Sequence, residues 1–271
     1  MDIFVISLRS ALARRAHVAS EMAAAGLRFS FFDAVEADAE PDRHFVATNI
    51  PLYKINSRRP PLRGEIACYA SHRAVWRHCV ELRAPIVVLE DDFRLLPAFA
   101  SALPRLEGLT REFGFVRIQS LERGRRRFTP KVVRNDSGLS LHYLADVPLC
   151  MLAYSIDPSA ATALIESSAY LTAPVDKFMQ RTWEHGVPLF GIAPQLVDTA
   201  TLSGQSTIGD RSRKSWNPLL LTLRALDKVS GRIRRRAFNA TQLRRLGLDR
   251  SRIAGSPRLT NATTRGHEVD A

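Results

Sequence analysis

Residues 3–8, "IFVISL", make a continuous apolar run of strand length, and "ALARRAHVASEMAAAG" after it has the composition of a helix. Ser10 stands where an N-cap is expected, and Gly26 where a left-handed residue ends a helix. "RFSFFDAV" (28–35) reads as the next strand. Strand, helix and strand within about 35 residues form a βαβ unit, which predicts a parallel sheet. Residues 36–63 are polar, rich in Pro and Arg, and read as a long surface loop. "GEIACYASHRAVWRHCVEL" (64–82) predicts a helix with Ile66, Ala70, Trp76, Cys79 and Val80 roughly on one side. "IVVL" (86–89) is a fully apolar strand of the kind covered on both faces, and a helix is expected from about Phe93. Strands are expected again within 113–120, 147–156 and 187–193, and helices at "PSAATALIESS" and at 174–186, the latter stopped by Gly186. Residues 124–138 read as a basic loop or a hairpin. From about Thr199 the pattern breaks down, "SGQSTI" (203–208) reading as a polar loop, and no internal repeat is present.

Length and composition fit a soluble globular α/β protein: 271 residues, 45% hydrophobic and 24% charged. No run approaches the roughly 18–20 apolar residues of a membrane span. The N-terminus makes a poor signal peptide and a good first strand. Three cysteines, Cys68, Cys79 and Cys150, lack metal-type spacing and imply a reduced, cytosolic protein. The net charge of +12 is concentrated: residues 211–252 hold 13 Lys and Arg against Asp227 and Asp249, whereas the first 210 residues nearly balance. The sequence thus divides into a domain over 1–210 and a basic, partly amphipathic helical tail over 211–271, whose end is expected to lack order. No dinucleotide fingerprint or P-loop follows the first strand.

The chemistry gathers at "IVVLEDDF", where Glu90, Asp91 and Asp92 follow a buried strand. Ligands of open α/β sheets collect beyond the carboxyl ends of strands. If the chain stays extended, Glu90 and Asp92 share a face about 7 Å apart. Two carboxylates there make an oxygen site for Mg²⁺ or Mn²⁺. Alternatively, Asp91 or Asp92 caps a helix starting near Phe93 and Glu90 is solvated. Glu65 and His72, two helical turns apart, share a face that can point toward the mouth of the sheet or simply serve helix capping and packing.

"VISLRSALARR" (5–15), "LRGEIACYASHRAVW" (62–76) and "IVVLEDDFRLLPAF" (86–99), with weaker "LAYSI" (152–156) and "APVDKFM" (173–179), occur in an order that resembles glycosyltransferase family 25, the lipooligosaccharide galactosyltransferase type. The resemblance covers roughly residues 1–210. It implies a GT-A-like nucleotide-sugar-binding fold with a mainly parallel central sheet. It also implies transfer of a hexose, commonly galactose, from a UDP-sugar to a saccharide of lipopolysaccharide or another envelope glycan, with inversion. On this resemblance Asp92 and Glu90 are the metal ligands. Ser7, Leu8, Arg9, Arg15, Glu65, His72 and Asp91 surround the donor, Arg9, Arg14 and Arg15 being suited to phosphates. Asp176 is the general base. Where family members tend to carry Gly-Thr, this chain has Cys150 and Met151, which favours the alternative of a non-catalytic sugar-nucleotide or glycan-binding protein.

Within the tail, Leu219, Leu223, Leu226 and Ile233 alternate with arginines at helical spacing. A basic amphipathic helix reads as an element for anionic membrane surfaces, in keeping with a lipid-linked acceptor. The expected location is cytoplasmic, peripheral at the inner face of the membrane. No nucleic acid is expected as a partner, since no aromatic platform accompanies the basic segment.

Overall fold

The apolar run at the N-terminus becomes β1 (Asp2–Ser7), and α1 (Leu12–Ala24) returns the chain so that β2 (Ser30–Asp33) pairs parallel beside it. Gly26 takes the left-handed stop, φ +64°. Ser10 does not cap α1: Ala11 holds that position, and the Ser10 hydroxyl donates to Glu36 Oε1 (3.1 Å). The computed structural model describes residues 1–37, 47–120, 131–136, 138–200 and 215–248. Residues 124–130, "SGQSTI" and the chain's end lie outside them.

The segment expected to be only loop contains β3 (Ala47–Thr48) and α2 (Ile50–Ser57). Asn49 caps α2, its side chain accepting from Leu52 N (3.1 Å), and Pro51 sits in the first turn, where a missing N–H costs nothing. After α3 (Arg63–Leu82) comes β4 (Ile86–Glu90). No helix starts at Phe93. Residues Phe93–Leu95 form β5, paired antiparallel with a strand about a hundred residues later, and α4 (Phe99–Phe113) begins after Pro97. Then follow β6 (Phe115–Arg117), β7 (Lys131–Asp136), β8 (Leu139–Tyr143), β9 (Ala153–Ile156), α5 (Pro158–Ser167) and β10 (Tyr170–Leu171). The helix expected over 174–186 is two pieces, α6 (Val175–Met179) and α7 (Thr182–His185), divided at Arg181 (φ −92°, ψ 53°), whose side chain reaches Asn56 and Asp227. β11 (Phe190–Ala193), β12 (Val197–Thr199) and α8 (Pro218–Arg245) complete the chain.

Eight strands form the main sheet in the order β2-β1-β4-β9-β6-β11-β8-β7. Six run in one direction; β9 and β8 are reversed, so the sheet is mixed rather than simply parallel. Period-two alternation divides β4 between two cores. Ile86 and Val88 join Trp76, Tyr154 and Phe178 under α3, α5 and α6, while Val87 and Leu89 join Val18, Met22 and Leu106 under α1 and α4. All four strand residues are fully buried, as a doubly covered strand requires. This layering places Glu90 toward α3 and Asp91 toward α1.

Candidate active site

The register sets the site. Ile6 pairs with Glu90 and Ser7 with Asp33, so the carboxyl ends of β1, β2 and β4 form one rim. Asp91, buried, is held from the α1 side: Ser7 Oγ donates to its Oδ2 (2.7 Å) and Arg14 Nη1 to its Oδ1 (2.7 Å). Arg15 seals the rim, donating to the carbonyls of Ser7 (2.9 Å) and Leu8 (3.1 Å) and to Asp33. Arg9, well exposed, also reaches Asp33 (2.8 Å). The bonds from Arg9 and then Arg15 hold the Asp33 carboxyl below the ordinary carboxylate range.

Glu90 has a different support. His72, buried on α3, places Nε2 3.1 Å from Glu90 Oε1 and Nδ1 3.0 Å from the Tyr154 oxygen, to which Trp76 Nε1 also donates at 3.0 Å. Indole nitrogen can only donate, and the arrangement that then satisfies every buried polar group has the Tyr154 hydroxyl donating to His72 Nδ1 and His72 Nε2–H facing Glu90. The chain Trp76–Tyr154–His72–Glu90 fixes one carboxylate oxygen from the core outward.

Asp92 is the unfinished member. Its backbone oxygen accepts from Ala200 N (2.7 Å), but its buried Oδ1 has no hydrogen-bond partner. Burial first, and then the neighbouring charge of Glu90, push its carboxyl above the ordinary value. A half-buried carboxylate with one oxygen sealed off and unpartnered favours a proton or a cation. Capping is not its role, since β5 stands where the capped helix was expected.

Cys68, one helical turn before His72, brings its sulfur into a group with His72 and Glu90 whose ligand atoms lie within 4.8 Å of one another. The i, i+4 spacing of Cys68 and His72 was readable as a shared helix face. A thiolate–imidazole–carboxylate set suits zinc, but only if His72 gives up the Nε2 proton that its core partners assign to it. Carboxylate oxygens such as those of Glu90 and Asp92 are the donors that hard cations take, and they need no such change.

Glu65 and Asp176 stand in the first turns of α3 and α6. Glu65, buried at the start of α3, accepts from Arg59 through both oxygens (2.7 and 2.6 Å), from Tyr53 (2.6 Å) and from Leu62 N (3.1 Å). Burial opposes its ionisation most, yet the bonds from Arg59, Tyr53 and Leu62 outweigh it and hold the carboxyl below its ordinary value. Asp176 is half-buried in the first turn of α6. That helix packs on α3 through Phe178 against Tyr69 (5.6 Å between ring centres) and Trp76 (6.3 Å). Cys150, just before β9, has φ +102°, a conformation natural to glycine.

A mixed sheet between helical layers, with carboxylates at the ends of its leading strands, fits a Rossmann-like glycosyltransferase fold. The model of glycosyltransferase family 25 (LPS biosynthesis protein) matches residues 1–179, and the chain belongs to that family. Among relatives, "Probable inactive glycosyltransferase 25 family member 3" of Rattus norvegicus is 29% identical over 186 residues, 66% of this chain and 32% of the relative. "Lacto-N-neotetraose biosynthesis glycosyltransferase LgtB" of Neisseria gonorrhoeae is 39% identical over 97 residues, 35% of this chain and 33% of the relative. "Lipooligosaccharide biosynthesis protein lic2B" of Haemophilus influenzae is 35% identical over 94 residues, 34% of each. The chain spans about a third of the length of these relatives.

Proposed function

We propose that the protein is a glycosyltransferase that moves a hexose, galactose in the first instance, from a UDP-sugar to a saccharide of lipopolysaccharide or lipooligosaccharide. The observation that carries this reading is the Asp92 carboxylate, buried without a partner at Oδ1 beside Glu90 at the strand ends. Glu90 and Asp92 would hold Mn²⁺ or Mg²⁺. Bound there, the cation supplies positive charge to the leaving diphosphate. His72 keeps Glu90 turned toward the rim, and Asp91 braces the rim through Ser7 and Arg14.

Arg9 and Arg15, now spent on Asp33, are the cations placed to exchange that partner for donor phosphates. Ser7 and Leu8 present the adjoining backbone. Glu65 anchors the start of α3, on which His72 rides. Asp176 is the base that takes the proton of the acceptor hydroxyl in an inverting transfer. Among the described residues no helix is long and apolar enough to cross a membrane. Yet α8 lays polar residues on the body, with Asp227 on Arg181 and Asn239 on Tyr143, and leaves Leu219, Leu223, Leu226 and Ile233 in solvent. Flanked by arginines, this outward apolar stripe supports docking on an anionic membrane face, close to a lipid-linked acceptor.

Calorimetric titration of UDP and a UDP-sugar panel, with Mn²⁺ and with chelator, tests the donor site. Wild type is expected to bind only with metal, and Asp92→Ala not at all; metal-independent binding would sink the assignment. A second reading, a non-catalytic sugar-nucleotide binder, is favoured by the inactive relatives. Binding without product in a radiolabelled sugar assay would select it.

A further inference from the structure

Away from the strand ends, a cavity of about 370 Å³ lies where the end of α2 meets α6 and α8. Arg58, Lys177, Arg224 and Lys228 converge on it, and among the described residues lining it there is no carboxylate. Each cation arrives by a definite route. Arg58 ends α2 in the left-handed conformation (φ +61°), which turns its side chain off the helix. Lys177 Nζ donates to Asn56 O (3.1 Å), and Arg224 Nη1 to Ile55 O (3.1 Å) and to Asn56 O. The carbonyl end of α2 thus gathers two of the four charges. Asp227, on the adjoining wall with Lys177, Arg224 and Lys228, is shared with Arg181 (3.1 Å), which also takes Glu184 (2.6 Å).

Four like charges from three elements line a space with no carboxylate among the described residues of its wall, an arrangement that favours a bound anion. Burial and then the proximity of Arg58 work against the Arg224 cation, and Asp227 offsets them only in part. Guanidinium and ammonium groups set around a small space are suited to the several oxygens of a phosphate. A neighbouring cavity shares Arg58 and has Trp216, Leu219, Leu220 and Leu223 in its wall, so a ligand can lay an apolar part beside its charged one. Lys177 directly follows Asp176, the base of the proposed reaction.

We infer that this cavity is a phosphate site, holding a phosphate ester carried by the acceptor or by a lipid headgroup next to it. The placing on the acceptor's side rests on the role proposed for Asp176; the phosphate chemistry does not.

The test is lysine acylation of the full chain, read by peptide mass spectrometry. It is run in inorganic phosphate, in glycerol phosphate, in chloride of equal ionic strength, and with phosphatidylcholine vesicles with or without phosphatidic acid. Labelling of Lys177 and Lys228 is expected to fall several-fold with phosphate relative to chloride, with Lys131 unchanged. Arg58→Gln should raise the half-protecting phosphate concentration by about tenfold, the loss of one charge-assisted contact. Protection by the soluble esters supports an acceptor phosphate; protection only by phosphatidic acid vesicles supports a headgroup phosphate. No protection in any arm, or protection unchanged in Arg58→Gln, overturns the site. Sugar transfer assayed on the same samples separates the two readings, because turnover without protection removes the phosphate site and leaves the enzyme.

Discussion

Glu65 and Asp92 are both carboxylates pressed into the protein next to α3 or the strand it covers, and they are in opposite conditions. Glu65 has an Arg59 fork, a tyrosine hydroxyl and a backbone N–H, and its carboxyl is held below the ordinary range. Asp92 has an oxygen with no partner, the Glu90 charge beside it, and a carboxyl pushed above that range. A protein that only needed structure would complete Asp92 as it completes Glu65. The difference distinguishes a charge that holds the fold from one kept ready for something that binds.

The largest effect expected from this contrast is at Glu65. Glu65→Gln leaves the Arg59 charge, itself nearly buried, without its counter-ion, and should lower stability by about 3–5 kcal/mol in urea unfolding. A loss below about 1 kcal/mol would erase the contrast with Asp92. The pH dependence has a definite sign. Because the Glu65 carboxyl is depressed below 4.5, its contribution is complete above that pH and is lost as pH falls through the lower folded value. Glu65→Gln should therefore flatten the acid limb of the stability profile.

Asp92→Asn should do the reverse. Replacing a partly desolvated carboxylate that has one unpartnered oxygen by a neutral amide should leave stability unchanged or raise it by up to about 1 kcal/mol, while transfer falls at least about a hundredfold. A variant that loses both stability and activity would make Asp92 structural like Glu65.

Why one carboxylate was legible and the other was not follows from where their partners lie. The acidic triplet after "IVVL" is visible because a buried strand must end near it, and the βαβ start fixes which end of the sheet it occupies. Glu65's partners come from α2 (Tyr53) and the stretch just after it (Arg59, Leu62), inside a segment whose Pro and Arg content disguised a helix, although Asn49 and Pro51 were a readable start signal. β5 was hidden because three residues acquire strand geometry only from β12, far along the chain. The support of Glu90 by Tyr154 was hidden likewise, since β9 reaches β4 only through the sheet order. In α8 the arginines were plain, but which face meets the body was not: a Cβ at Gly231 would stand 3.1 Å from the Trp183 ring, a close approach that glycine relieves.

Tyr154→Phe sharpens the comparison at the next level of effect. It removes the hydroxyl that joins Trp76 to His72, leaving a buried N–H and an imidazole nitrogen without partners, at a cost of about 1–3 kcal/mol. If that hydroxyl orients Glu90 through His72, kcat should fall about tenfold with the donor KM little changed, an amount equivalent to about 1.4 kcal/mol of transition-state stabilisation. Loss of stability with kcat intact would reduce the chain to core packing.

The smallest effect is expected at Cys150, on the stretch leading to Leu152, whose carbonyl accepts from Glu90 N (2.8 Å). A residue with a Cβ at φ +102° is strained by about 1–2 kcal/mol, and glycine there gives back part of the relief through its freer unfolded chain. Cys150→Gly should thus raise stability by about 0.5–1 kcal/mol, measured as a shift of the urea midpoint at constant slope. Its effect on turnover carries the argument back to the two carboxylates. If transfer improves or is unchanged, the strain at Cys150 is incidental to the rim. If transfer falls while stability rises, the strained backbone helps hold Glu90 beside Asp92, and the unfinished charge is maintained at the expense of the fold.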